Sequence, residues 1–147
     1  MGAVLDQGSC GSCYSFAATA VLEGALVVQA RLNLTSLSEQ QIISCSANLG
    51  CGGGSFEQAW NYSASLPDGG LAALSVYPYA SSLGGTAPQC NYAAAVQGVV
   101  TTIPGNGHLA NMGYITVTND NQMMEALTNF GPVVCFSSSY FYYLALL

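Results

Sequence analysis

The sequence predicts an α+β fold in which helices come first and strands later. Three observations carry this. Apolar and small residues recur at helical spacing across residues 13–30, the pattern of a packed helix. Two capping boxes follow, Ser38-Glu39-Gln40-Gln41 and Ser55 to Gln58, each opening a further helix. Strand-like runs appear only at residues 113–117 and 133–136.

In the first helix Phe16, Ala20, Gly24 and Val27 share a face, with Ala17 and Val21 beside it and Ser12 as the expected cap. Small residues at 17, 18, 20 and 24 would let another element approach closely. In the second, Ser38 caps, Gln41 is expected to reach back to it, and Leu37 and Ile42 stand where a hydrophobic staple would. The third carries Trp60 and follows a tight, cysteine-anchored loop at 50–54. Residues 67–111 are rich in Gly, Pro, Ser and Ala and read mostly as loop, with Tyr77-Pro78-Tyr79 as a fixed extended piece. Asp120 is expected to cap a short helix ending at Gly131-Pro132.

Composition limits the function classes. Of the 147 residues half are apolar, enough for a core, and Arg31 is the only base against seven acids. One cation cannot neutralise a phosphate backbone, so nucleic acid is excluded as a partner. The acidic balance argues equally against an anionic membrane surface. Residues 17–32, the most apolar helical stretch, are interrupted by Glu23, Gln29 and Arg31 and do not read as a membrane span. Six cysteines suggest an oxidising compartment. Two sequons, at Asn33 and Asn61, fit secretion. No signal peptide is read at Met1, and the chain stops on an apolar, aromatic run at 140–147; both are read as signs of an incomplete chain.

The densest chemical signal is Gln7-Gly8-Ser9-Cys10-Gly11-Ser12-Cys13-Tyr14-Ser15-Phe16. It places Cys13 in the first turn of a buried helix, where unpaired N–H groups and the helix dipole favour a thiolate, the nucleophilic form. The Gln7 amide and the Cys13 N–H could together hold an oxyanion.

This segment resembles the active site of papain-like cysteine peptidases, whose core is Cys-Gly-Ser-Cys followed by an aromatic residue. Further matches follow in order: Leu37-Ser38-Glu39-Gln40, the Cys45 region, Cys51-Gly52-Gly53-Gly54, Tyr77-Pro78-Tyr79, Cys90 and Gly131-Pro132-Val133. The similarity runs from about Leu5 to Tyr143. It implies the papain-like α+β fold, with a helical left domain over 1–112 and the start of a β-barrel right domain over 113–147. It implies the disulfides Cys10–Cys51 and Cys45–Cys90, with Cys13 free as nucleophile and Cys135 left as a small buried hydrophobe. It further implies that Gly53 and Gly54 bind extended peptide, and that Ser55, Phe56 and Phe136 line an apolar specificity pocket. No metal or organic cofactor is implied. The implied partners are peptide or protein substrates, and a propeptide or protein inhibitors. The implied location is secreted, lysosomal or vacuolar.

Departures from the family pattern shape the functional expectation. Tyr14 stands where Trp is usual. The family's base, a histidine roughly 130–150 residues after the nucleophile, has no counterpart at that spacing before Leu147. The only histidine, His108, falls short of it and reads as an exposed loop residue. The expectation is therefore a cysteine-type peptidase by family, inactive as these 147 residues alone. The alternative is a non-catalytic relative or half-domain that binds peptide or a protein partner. A redox Cys10/Cys13 pair lacks the preceding strand such motifs follow, the cysteine spacing does not suit zinc, and Gly52–Gly54 lacks the lysine of a phosphate loop. Glu23, Glu39, Glu57 and Glu125 are expected on solvated helix faces or as caps.

Overall fold

The computed structural model describes residues 4–28, 31–66, 70–97, 99–100, 113–129, 131–135 and 142–146; for 99–100, 113–116, 135 and 142–146 it describes the backbone alone. His108 and Phe136 lie outside the described residues.

The organising element is helix α1 (Cys13–Val28). Its buried residues, Tyr14, Ser15, Ala18, Thr19, Val21, Leu22, Ala25 and Leu26, share one side of the helix, while Ala20 and Val27 are exposed on the other, so α1 is half-buried rather than enclosed. Leu22 packs with Leu37, Ile42, Phe56, Trp60, Leu71 and Val134 in the main core. Burying one such leucine is worth about 1.5–3 kcal/mol. The small residues act as expected at two positions. Ala18 is fully buried, and a Cβ at Gly24 would lie 2.6 Å from Cγ of Pro132. Ala20 is instead exposed. Ser12 does not cap with its side chain, because that hydroxyl meets the Tyr79 hydroxyl at 3.0 Å.

Helix α2 (Glu39–Cys45) begins as its capping serine dictates, with Ser38 Oγ accepting from the Gln41 N–H at 3.0 Å. Leu37 and Ile42, the staple pair, are both buried in the core. The other half of the box is absent. The Ser38 N–H that Gln41 would have served already donates to the Ala72 carbonyl at 2.9 Å. Gln41 turns into the core, accepting from the Ala72 N–H at 2.7 Å and donating to the Ala95 carbonyl at 3.3 Å.

A 3₁₀ turn (Gly50–Gly52) leads to helix α3 (Phe56–Ser65), whose Ser55 cap accepts from the Gln58 N–H. The segment read as loop contains three short elements: β1 (Leu71–Ala72), α4 (Tyr92–Val96) and β2 (Val99–Val100), with β1 and β2 antiparallel. They are too short for periodicity to register, although Asn91 caps α4 through the Ala94 N–H. Within that segment, the Tyr77 carbonyl accepts from the Ser38 hydroxyl at 2.7 Å.

A second, three-stranded antiparallel sheet has the order β3 (Gly113–Val117), β5 (Tyr142–Leu146), β4 (Val133–Cys135). Helix α5 (Asp120–Asn129) covers β3 through Ala126 and Met123 against Val117. Its cap is Asn119, not Asp120: Asn119 Oδ1 accepts from the Gln122 N–H at 2.9 Å. An amide at this position satisfies the free N–H without adding a charge. Val134 joins the main core beside α1, which ties this sheet to the helices. No described helix is long and apolar enough to cross a membrane.

Candidate active site

Cys13 is the first residue of α1, and its thiol is free and exposed. As the first helical residue it offers an N–H with no intrahelical acceptor, and it sits at the positive end of the helix dipole. The turn before it is held from below. Cys10 is bonded to Cys51, and the Gly11 N–H donates to the Cys51 carbonyl at 3.0 Å. A side chain at Gly11 would collide with that carbonyl, its Cβ lying 2.7 Å away. Cys45 is bonded to Cys90.

Gln7 lies over the same turn. Its Nε2 donates to the Cys10 carbonyl at 2.9 Å, which also receives the Ser12 N–H at 2.8 Å. A primary amide carries two hydrogens, so one remains for another acceptor. Tyr79 closes this arrangement from the far side. Its hydroxyl donates to the Gln7 carbonyl at 2.7 Å and meets Ser12 Oγ at 3.0 Å, while its ring stands edge-on to Phe16 at 5.1 Å. Tyr79 was visible in sequence only as part of an extended motif; a hydroxyl-bearing aromatic after a proline does not announce its partner.

The glycine loop is pinned to the helix start. Gly53 has φ 106°, in the region glycine tolerates, and nothing lies near where its Cβ would be. Its carbonyl accepts from the Leu49 N–H at 3.1 Å. Gly54 is exposed, and its N–H and carbonyl have no hydrogen-bond partner among the described residues. Asn48 buttresses it from behind, where a Cβ at Gly54 would collide with the Asn48 side chain. Asn48 Oδ1 also accepts from the Ser55 N–H at 2.8 Å. Ser55 spends its hydroxyl on the α3 cap, and Phe56 is buried in the main core against Trp60.

Two glutamates depart from the solvated role expected of them. Glu39 is 2% exposed and receives the Thr19 hydroxyl at 3.3 Å, while its Oε2 has no hydrogen-bond partner among the described residues. Burial pushes its carboxyl above the ordinary range, and nearby Glu23 adds to the rise. Glu23 accepts from the Leu37 N–H at 2.7 Å; burial raises it too, against that hydrogen bond. Both line a cavity of about 560 Å³ with Phe16, Thr19, Gly24 and Val27. Neither Cys13 nor Gln7 lines it, so it is separate from the thiol. Among the described residues no cluster of three or more His, Cys, Asp or Glu is placed to hold a metal.

The profile of the papain family of cysteine proteases matches residues 1–145. The chain is 34% identical to ananain of Ananas comosus over 126 residues, 86% of this chain and 32% of that one. Among solved structures it is similar to digestive procathepsin L 3 of Tenebrio molitor larval midgut, with TM-score 0.70, 34% identity, and coverage of 90% of this chain and 40% of that one. It is also similar to the Carica candamarcensis cysteine protease CMS1MS2 in complex with E-64, with TM-score 0.68, 29% identity, and coverage of 88% and 54%. The chain thus spans about a third of the length of a curated relative such as ananain. A free thiol opening the helix that organises the core, two disulfides around it and a family match over nearly every residue lead to one assignment: the chain belongs to the papain family of cysteine proteases.

Proposed function

We propose that this chain supplies the nucleophile and oxyanion side of a cysteine-type peptidase. One observation carries the reading: Cys13 is a free, exposed thiol at the first residue of a half-buried helix, directly after the turn whose Cys10 carbonyl holds the Gln7 amide. In the proposed reaction Cys13 sulfur attacks a peptide carbonyl, forming a C–S bond as the carbonyl electrons move to oxygen. The Gln7 amide and the Cys13 N–H receive that oxyanion. Collapse expels the amine, which takes a proton from an imidazole, and water then releases the acyl group. The elements described above do not include that imidazole. The proposal therefore assigns turnover to an assembly that adds one, and expects no proteolysis from these elements alone.

The substrate side of the proposal is the Gly53–Gly54 edge. The backbone of Gly54, unpaired among the described residues, offers one donor and one acceptor to an extended peptide, in the manner of strand addition. Ser55, Phe56 and Phe136 are proposed as the pocket for an apolar side chain; the buried Phe56 would form its floor. A propeptide or an inhibitor is proposed to occupy the same edge; binding of such molecules in general is supported by the procathepsin and the E-64 complex among the similar structures. The division into a helical part, 1–112, and a β-rich part, 113–147, belongs to the same proposal, supported by the separate β3-β5-β4 sheet. Two disulfides support a secreted, lysosomal or vacuolar setting.

The exposed Gly54 edge also favours a second reading, in which the chain binds peptide without catalysis. Alkylation separates the two. Iodoacetamide or a peptidyl epoxide, followed by mass spectrometry, should modify Cys13 selectively and well ahead of a free small-molecule thiol under the same conditions. Reaction no faster than that thiol would leave only the binding reading standing.

A further inference from the structure

The geometry points to Tyr79 as a positioning residue that sets the spacing between the two oxyanion donors. The inference rests on the roles proposed above for Cys13 and Gln7.

The argument is one of proton bookkeeping. A phenol has a single O–H hydrogen, and the Gln7 carbonyl can only accept, so the 2.7 Å contact takes the Tyr79 proton. The contact at 3.0 Å must then run the other way, with the Ser12 hydroxyl donating to Tyr79 oxygen. Ser12 is fully buried, and its other acceptor, the Cys10 carbonyl, is 3.5 Å away, too far to compete. The result is a directed chain: Ser12 O–H to Tyr79 O–H to the Gln7 carbonyl. Its ends are informative. Gln7 carries one donor. Ser12 is the residue directly before Cys13, whose N–H is the other. The chain therefore bridges the two donors across the outside of the turn, while the Cys10–Cys51 bond holds the turn from beneath.

Tyr79 is itself fixed. Phe16 meets its ring edge, and the two residues after it donate their N–H groups to Gln40 Oε1 at 2.8 and 3.0 Å. With its proton committed to Gln7 and its oxygen to Ser12, its hydroxyl acts through those residues.

The test compares two probes of Cys13 in the full chain with both disulfides intact. A peptidyl aldehyde adds reversibly: the sulfur–carbon bond forms, and the thiol proton ends on the former carbonyl oxygen, which occupies the oxyanion position. Iodoacetamide requires only the thiolate. Tyr79→Phe should weaken aldehyde binding about tenfold, the loss expected for one well-placed hydrogen bond, while changing the iodoacetamide rate less than twofold between pH 5.5 and 7.5. Ser12→Ala breaks the same chain and should do likewise, and the double variant should be no worse than the larger single loss. Unchanged aldehyde binding in either folded variant overturns the inference. So does an equal loss with both probes, which would mark a merely structural role. If Tyr79→Phe fails to fold, Ser12→Ala decides alone. A parent chain that binds no aldehyde and shows no selective alkylation would instead overturn the proposed function itself.

Discussion

The hydroxyl of Tyr14 donates to the carbonyl of Gly50 at 3.0 Å, tying the first turn of α1 to the 3₁₀ turn that precedes the glycine edge. Tyr14 is 2% exposed, and burial, followed by the neighbouring Cys13 and Tyr79, pushes its hydroxyl up to about 12. This is the position where the family usually carries Trp. Tyr14→Phe keeps the ring and strands a buried carbonyl, so stability should fall by about 1–2 kcal/mol in urea unfolding. In alkaline titration, followed by tyrosinate absorbance, the variant should lack a component that ionises well above the ordinary tyrosine range. A variant as stable as the parent would show that the tie contributes nothing.

The buried Glu39 predicts a pH dependence of stability. Its folded pKa lies above the unfolded value of about 4.5. Below that value the group is protonated in both states, and its contribution is fully present. Between the unfolded and folded values the folded state binds more protons, so stability falls as pH rises and then levels off. Glu23 behaves in the same sense. The urea midpoint should therefore decline from pH 4.5 toward neutrality. Glu39→Gln should remove part of that decline and stabilise the neutral protein on the order of 1 kcal/mol. A midpoint that rises with pH, or a variant with the parent's slope, would contradict this.

Legibility in sequence followed the range of the interaction. The Cys13 helix start and the Ser38 and Ser55 caps depend on neighbours a few residues away, and their patterns state them. The disulfides became legible through resemblance, since six cysteines alone leave the pairing open. Gln41 illustrates the opposite case. Its local pattern says capping box, yet the Ala72 N–H and Ala95 carbonyl claim its amide from far along the chain. The same holds for Glu39, which a polar helix face would leave in water but which packs against Thr19 of α1. Asn119 is a local miss instead: its contact spans only three residues, and the expected cap, Asp120, stood one residue too late. Elements β1 and β2, two residues each, carry no period at all and exist because Gln41 and each other's backbones satisfy them.

Gly24 makes a packing prediction. A Cβ there would stand 2.6 Å from Pro132 Cγ and 3.4 Å from its Cβ, in a ring that cannot swing aside. Gly24→Ala gains helix propensity of about 1 kcal/mol but must push α1 and the start of β4 apart. Overpacking costs typically ~1–3 kcal/mol, so the net change should be destabilising and centred on β4. Hydrogen exchange should show faster amides at residues 133–135 with α3 unaltered. A stabilised variant would mean that Pro132 yields without cost.

Gln40 is the brace behind the segment that carries Tyr79. It is 1% exposed, and its Oε1 accepts from the N–H groups of Ala80 and Ser81 and from the Ser81 hydroxyl, at 2.8, 3.0 and 3.0 Å. Its Nε2 donates to Ser44 Oγ at 3.0 Å within α2. The next residue along, Ser82, accepts from the Ser9 N–H at 3.2 Å, directly before Cys10. Displacing the brace should therefore be felt at the turn before the nucleophile. Gln40→Ala leaves two backbone donors without an acceptor, one of them in a fully buried residue, at a cost of about 2–3 kcal/mol. Amide exchange should quicken at Ser9, Ala80 and Ser81 together, while amides of Ala59 and Trp60 in α3 keep the parent's protection. If Ala80 and Ser81 loosened while Ser9 did not, the strap and the nucleophile turn would be energetically separate, and the coupling argued for Tyr79 would lose its mechanical basis.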